Sequence, residues 1–220
     1  MLLKDVKAVL FDLDGTLVDT MEAFHLMVNS LLKRFNKPER SFSENVKLVG
    51  KPSKTIVETI VNETGLDISL KEFSKIMFNE WVHNYMSKHG RLYSDSLKVL
   101  KELKNRGYLL GVVSNTSKEE LPHYLNSFKI REFFNVTVSS DDVENPKPSP
   151  EPVLKAIQTL NVKPMENVMV GDRPEDVEAG KLAGTYTIAV FRGVRPGSEL
   201  EDVKPCFIVK ELSEILSILP

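Results

Sequence analysis

At 220 residues the chain exceeds one small compact unit and falls short of two large ones, so a main domain carrying a smaller insertion is expected. Hydrophobic residues make up 41% and charged residues 27%, and a net charge of −2 excludes a general electrostatic pull toward nucleic acid polymers or anionic membranes. The N-terminus lacks a signal-peptide pattern and no apolar run approaches a membrane span, so a cytoplasmic protein, monomer or homodimer, is expected.

In chain order, the Val/Ile/Leu-rich stretch 7–12 predicts a first strand. Residues 18–91 then read as almost wholly helical, with helices expected over 20–35, 43–49, 53–64 and 70–88, punctuated by Pro38, Gly50-Lys51-Pro52 and Gly65. That span is far longer than a crossover between neighbouring strands requires, which marks it as an inserted helical domain. Beyond it helices and strands alternate: helix 94–106, strand 109–114, helix 117–128, strand 136–139, helix 150–160, strand 168–172, helix 174–183 and strand 187–191. Ser117 with Glu120 forms a capping-box pattern, and Pro150 and Pro174 suit a first helical turn. The apolar tract 206–209 predicts a last, buried strand with an inert thiol at Cys206, which as the sole cysteine excludes an internal disulfide. Runs apolar on both faces suit a parallel sheet covered by helices. The fold class is therefore α/β, a doubly wound, Rossmann-like parallel sheet built from residues 1–17 and 92–220, with an inserted helical domain over 18–91.

In open α/β sheets ligands bind beyond the carboxyl ends of the strands, and the notable polar residues fall there. Asp12 ends the first strand, with Asp14, Gly15 and Thr16 following; Ser114 ends the second; Lys147 lies between two prolines after the third; Asp172 ends the fourth, with Asp176 one helical turn on. Each has an ordinary reading when taken alone: Asp-Leu-Asp-Gly as a turn, Ser114 as a backbone cap, Lys147 as a solvated lysine, Asp172 to Asp176 as an acidic first helical turn. Together, each after a different strand, they suit phosphoryl transfer. A carboxylate can attack phosphorus, a second carboxyl can protonate the leaving oxygen and later take a proton from water, and a hydroxyl and a lysine can hold the nonbridging oxygens. Two like charges about 4 Å apart at an effective dielectric near 20 repel by roughly 4 kcal/mol, so three such aspartates call for a hard divalent cation, with magnesium favoured.

The stretches 11–20 (Phe-Asp-Leu-Asp-Gly-Thr-Leu-Val-Asp-Thr), 112–116 (Val-Val-Ser-Asn-Thr), 147–150 (Lys-Pro-Ser-Pro) and 170–172 (Val-Gly-Asp) with Asp176 and Ala179 resemble the haloacid dehalogenase-like hydrolase superfamily. The resemblance implies that Asp12 is the nucleophile, Asp14 the general acid/base, and Ser114, Asn115 and Lys147 the phosphate-binding set. It implies Mg2+ held by Asp12, Asp172 and the Asp14 backbone carbonyl, with Asp176 supporting the site, and a mobile cap. Dehalogenases of the superfamily typically lack the second aspartate, so Asp14 points to a phosphatase acting on a small phosphorylated metabolite. The chain looks most like the phosphoglycolate phosphatase, pyrophosphatase and β-phosphoglucomutase group, leaving phosphoglycolate, pyrophosphate, sugar phosphates and nucleotides open as substrates.

Mutases of that group carry a cap histidine where this chain has Phe24, with His25 one residue off; a phosphomutase is the alternative reading, and a non-catalytic phosphoaspartate receiver a more distant one. Two further departures are Arg173, where many relatives have serine, and Tyr93-Ser94-Asp95-Ser96, where a Pro-Gly turn is common. In the cap, Lys51 and Lys54 could reach an anionic leaving group. Phe73, Ile76, Met77, Trp81 and Tyr85 recur at helical spacing and suit the cap's own core, and His25, His83, His89 and His123 lack metal-ligand spacing.

Overall fold

A computed structural model describes residues 2–193 and 197–220. Six parallel strands form one sheet: β1 (Ala8–Phe11), β4 (Leu109–Val113), β5 (Val136–Val138), β6 (Asn167–Gly171), β7 (Tyr186–Val190) and β8 (Phe207–Val209), in the order β5-β4-β1-β6-β7-β8. Alternation along the strands divides the core between the two faces. Val9, Phe11, Val112, Val170 and Ile188 pack with helices α6 (Ser96–Asn105) and α11 (Ile215–Ile218), whereas Leu10, Val113, Val138 and Met169 pack with α8 (Glu151–Leu160) and α9 (Pro174–Leu182). The central strands are buried throughout, as a sheet covered on both sides requires.

Between β1 and β4 the chain leaves along β2 (Val18–Asp19) and returns along β3 (Arg91–Leu92), and these pair antiparallel, with Arg91 bonded to Asp19 at 3.0 Å. Such a two-residue ladder is too short to register in hydrophobic period. It joins the helices α1 (Met21–Arg34), α2 (Phe42–Val46), α3 (Ser53–Thr64), α4 (Leu70–Glu80) and α5 (Met86–His89) to the sheet. The expected helix over 70–88 is helical throughout, but Trp81–Tyr85 form a π-helical turn between α4 and α5. Trp81 is buried there against Phe24 and Tyr124, at ring separations of 6.1 and 5.9 Å, a tertiary demand that a 3.6-residue pattern does not report. Helix α7 (Glu120–Ser127) begins late, although the Ser117–Glu120 box forms: the Glu120 N–H donates to Ser117 Oγ at 3.2 Å and Ser117 N–H to Glu120 Oε2 at 3.3 Å. The short helix α10 (Gly197–Asp202) precedes β8.

Cys206 corrects one expectation, because it is exposed rather than buried and lies just outside β8. β8 is an edge strand with a partner on one side, and its Ile208 also faces solvent, so an apolar run here does not enclose its neighbours.

Candidate active site

Backbone bonds place the key side chains at the strand ends. Asp12 N–H donates to Val170 O at 2.8 Å and Ser114 N–H to Val138 O at 3.0 Å, extending the ladders one residue past β1 and β4. The Lys147 ammonium donates to Asp12 Oδ1 at 2.7 Å, Asp176 Oδ1 at 2.6 Å and Val113 O at 2.7 Å. Lys147 is only 4% exposed, so the solvated reading of that lysine does not hold. Asn115 fixes its backbone from both sides, Nδ2 donating to Lys147 O at 3.1 Å and Oδ1 accepting from Lys147 N–H at 3.0 Å. Asp172 Oδ1 accepts from Thr16 Oγ1 at 3.0 Å, and Asp176 Oδ2 accepts from Arg173 N–H at 3.1 Å.

Carboxylate oxygens of Asp12, Asp172 and Asp176 lie within 4.8 Å of one another, all buried, and Asp12 Oδ2 has no hydrogen-bond partner among the described residues. Crowded carboxylates with a bare buried oxygen form a hard donor set that could hold a metal ion. Gly15 makes the approach possible: at φ +91° it adopts a conformation that other residues rarely reach, and a Cβ there would lie 2.3 Å from Asp172 Oδ2.

The Asp14 side chain faces away from that cluster. Its Oδ1 accepts from Thr20 Oγ1 at 2.6 Å and Tyr124 Oη at 3.0 Å, and its Oδ2 from Thr116 Oγ1 at 3.3 Å. Thr20 stands at the start of α1, where its hydroxyl donates to Asp14 and makes no capping bond. Ser114 Oγ donates to Thr116 Oγ1 at 3.0 Å and accepts from Thr116 N–H at 3.1 Å.

Burial raises the carboxyls of Asp12, Asp14, Asp172 and Asp176 above their usual range. Lys147 opposes the rise at Asp12 and Asp176, and Asp176 stands at about 6. At Asp172 repulsion from Asp12 and Asp176 adds to burial and drives it well up. Three hydrogen bonds oppose burial at Asp14, which remains raised and so inclined to carry a proton.

A cavity of about 480 Å³ opens above Asp14 between the sheet's loops and the helical segment. Phe24, Met27, Met77 and Trp81 form its apolar side; Lys51, Lys71 and Lys75 bring positive charge, and Glu119, Glu120 and Asp141 negative charge. Of the two lysines singled out by sequence, Lys51 lines it and Lys54 does not: the Lys54 side chain is 87% exposed, beside Glu58 at 4.0 Å. Phe24 lines the cavity, whereas His25 turns to Asn45, with Asn45 Nδ2 3.0 Å from its Nδ1, and to the Phe42 ring at 5.4 Å. Sequence reasoning did not single out Thr20, Thr116 or Tyr124. The two threonines sit inside the quoted motifs, but nothing local marks Tyr124, which reaches Asp14 only through the fold.

Together these features set a crowded buried carboxylate cluster, a separate carboxyl raised by burial and a buried lysine at the strand ends of an α/β fold. The profile of the haloacid dehalogenase-like hydrolases matches residues 9–190, and the chain belongs to that family of enzymes. It is 36% identical over 216 residues to pyrophosphatase PpaX of Bacillus cereus strain B4264, covering 97% of this chain and 96% of that protein. Among solved structures it resembles a predicted phosphoglycolate phosphatase of Haemophilus somnus 129PT, with TM-score 0.85, 26% identity and 98% of each chain covered. It also resembles a candidate β-phosphoglucomutase of Thermotoga maritima, with TM-score 0.81, 26% identity, and 96% of this chain and 99% of that one covered.

Proposed function

We propose that this enzyme is a Mg2+-dependent phosphatase that hydrolyses a small phosphoanhydride or phosphomonoester with an anionic leaving group, inorganic pyrophosphate foremost, through a phosphoaspartate on Asp12. The observation that carries the reading is the unpartnered, buried Asp12 Oδ2 beside Asp172 and Lys147. Asp12 Oδ2 attacks phosphorus, the bond to the leaving oxygen breaks, and that oxygen departs with the electron pair and the proton of Asp14. Asp14, now a carboxylate held by Thr20, Thr116 and Tyr124, takes a proton from water; the hydroxide attacks phosphorus, the Asp12–phosphorus bond breaks, and phosphate leaves. Lys147 and Ser114 grip the nonbridging oxygens by exchanging present bonds, Lys147 one of its three to Asp12, Asp176 and Val113 O and Ser114 its bond to Thr116, while any contact from Asn115 falls to its backbone N–H, its side chain being spent on Lys147 and Gly50. Asp12, Asp172 and the Asp14 carbonyl are the residues that would hold magnesium, with Asp176 in support, and the ion when bound offsets the carboxylates' charge and orients the phosphate.

Residues 18–91 act as a cap that selects substrate, since the sheet's loops recognise only phosphate. Pyrophosphate is placed first because the curated relatives are named for that activity; Lys51, Lys71 and Lys75 suit a charged leaving group, although Glu119, Glu120 and Asp141 share the lining. Hydrolysis is preferred to mutase chemistry because Phe24, not a histidine, faces the cavity. A phosphate-release assay across pyrophosphate, phosphoglycolate, nucleotides and sugar phosphates, with and without a sugar bisphosphate, tests this. The expected result is Mg2+-dependent release, strongest from pyrophosphate and silenced by chelation. Undiminished rates after rigorous metal removal would discard the metal role, and release that requires a bisphosphate would favour the mutase.

A further inference from the structure

Asp12 and Asp172 are 3% and 7% exposed as residues and neither lines the cavity above Asp14, so a substrate reaches them only once the site opens. Contacts that span the closing surface therefore bear on how substrate is admitted. Two converge on one turn, and a third lies just beyond it at the start of α3. The Arg173 guanidinium, buried and next to Asp172, donates through Nη1 to Val49 O, while its Nε and Nη2 form a two-point pair with Glu175 at 3.1 and 2.7 Å. Asn115 Nδ2, besides holding Lys147 O, donates to Gly50 O at 3.1 Å. Ser53 Oγ donates to Glu120 Oε2 at 2.9 Å.

The turn is shaped for this embrace. Lys51 N–H closes it onto Leu48 O at 3.1 Å, with Gly50 at φ +83°, the pattern of a type II turn that favours glycine at its third position. A Cβ at Gly50 would lie 2.8 Å from Arg173 Cδ and 3.1 Å from its Nη1, so the bare backbone rests directly on the arginine. Serine at position 173 could neither reach Val49 nor occupy that space. Glu175 fixes the guanidinium plane, leaving Nη1 aimed across the gap.

We propose that Arg173 is a positioning residue: with Asn115 it latches the 48–51 turn onto the loops that carry Ser114 and Asp172, so that lid closure seats Lys51 at the cavity at the same moment. The idea rests on the cap reading given above. Both latch residues adjoin a proposed site residue in sequence, so a shift of the turn is transmitted to the loops that grip phosphate and metal without any contact between Arg173 and substrate.

Hydrogen–deuterium exchange on the free protein tests the latch independently of which phosphate compound is hydrolysed. In Arg173→Ser the peptide covering 47–57 should exchange about tenfold faster, the loss expected of one charge-assisted hydrogen bond, with peptides over β1 and β4 unchanged. Arg173→Lys, which keeps the charge but lacks the fork, should fall between. Gly50→Ala should loosen the same peptide in the wild-type background and add less in Arg173→Ser, where the strain of its positive φ remains but the clash with Arg173 is gone. In steady state both position-173 variants should raise KM several-fold with a smaller change in kcat. Wild-type exchange over 47–57 in both variants would overturn the latch, as would faster exchange spread evenly through the sheet, which would mark Arg173 as general packing. If instead exchange responds as expected and no phosphate compound is turned over, the latch stands and the phosphatase reading falls.

Discussion

Asp12→Asn should reduce turnover at least a thousandfold, roughly 4 kcal/mol of barrier, while the purified protein melts no lower than the wild type in metal-free buffer. The amide keeps the shape but cannot attack phosphorus. Its effect on stability follows from crowding: Asp12, Asp172 and Asp176 are clustered and buried, Lys147 pairs with only two of them, burial raises all three, and the charge of Asp12 raises Asp172 and Asp176 further. Replacing one carboxylate by a neutral group relieves that repulsion, and Lys147 keeps Asp176 and Val113 O as partners. A site built for catalysis at the expense of stability behaves in this way. Kinetics together with thermal melting check both halves; an inactive variant that also melts far lower would mean that Asp12 is structural.

The second large effect runs the other way. Lys147→Met should abolish activity and also lower stability by about 3–5 kcal/mol, because removing one member of a buried ionic group leaves the others uncompensated. For a chain of this size that is a fall in melting temperature on the order of 10 °C. Methionine matches the length of the stem, so the loss reports the missing charge and its three hydrogen bonds more than a cavity. Calorimetry or denaturant melts decide it. Full stability in Lys147→Met would show that the aspartates do not depend on this ammonium.

Both expectations rest on residues visible in the sequence, and the reason is topological. Each of Asp12, Ser114 and Asp172 follows directly on an apolar run, and parallel strands bring such ends together whatever the intervening length. The burial of Lys147 was less legible, since a lysine between prolines looks solvated until the fold sets two aspartates beside it. Three features lay beyond local pattern altogether. Cys206 sits in an apolar tract but beside an edge strand, so its exposure depends on what covers the sheet there. Tyr124 reaches Asp14 from a helix whose sequence shows only an amphipathic face. The departure at Tyr93-Ser94-Asp95-Ser96 acquires a physical reason only in three dimensions: Arg192 pairs with Asp95 at 3.0 Å, lies 4.0 Å over the Tyr93 ring and donates to Thr16 O in the loop after Asp12. Burial raises the Asp95 carboxyl, but the bonds from Arg192 outweigh it and hold the group below its usual range. No hydrophobic period foretells such a tie.

The most direct measurement is to quench the enzyme during turnover of pyrophosphate with Mg2+, reduce it with borohydride, and sequence the peptides by mass spectrometry. An aspartyl phosphate is reduced to homoserine whereas a free aspartate is not. Homoserine at position 12, dependent on both substrate and Mg2+, is the predicted result. Turnover with Asp12 unmodified under those conditions, or with the reduced residue at another position, would contradict the assignment of Asp12 as the group that takes up phosphorus.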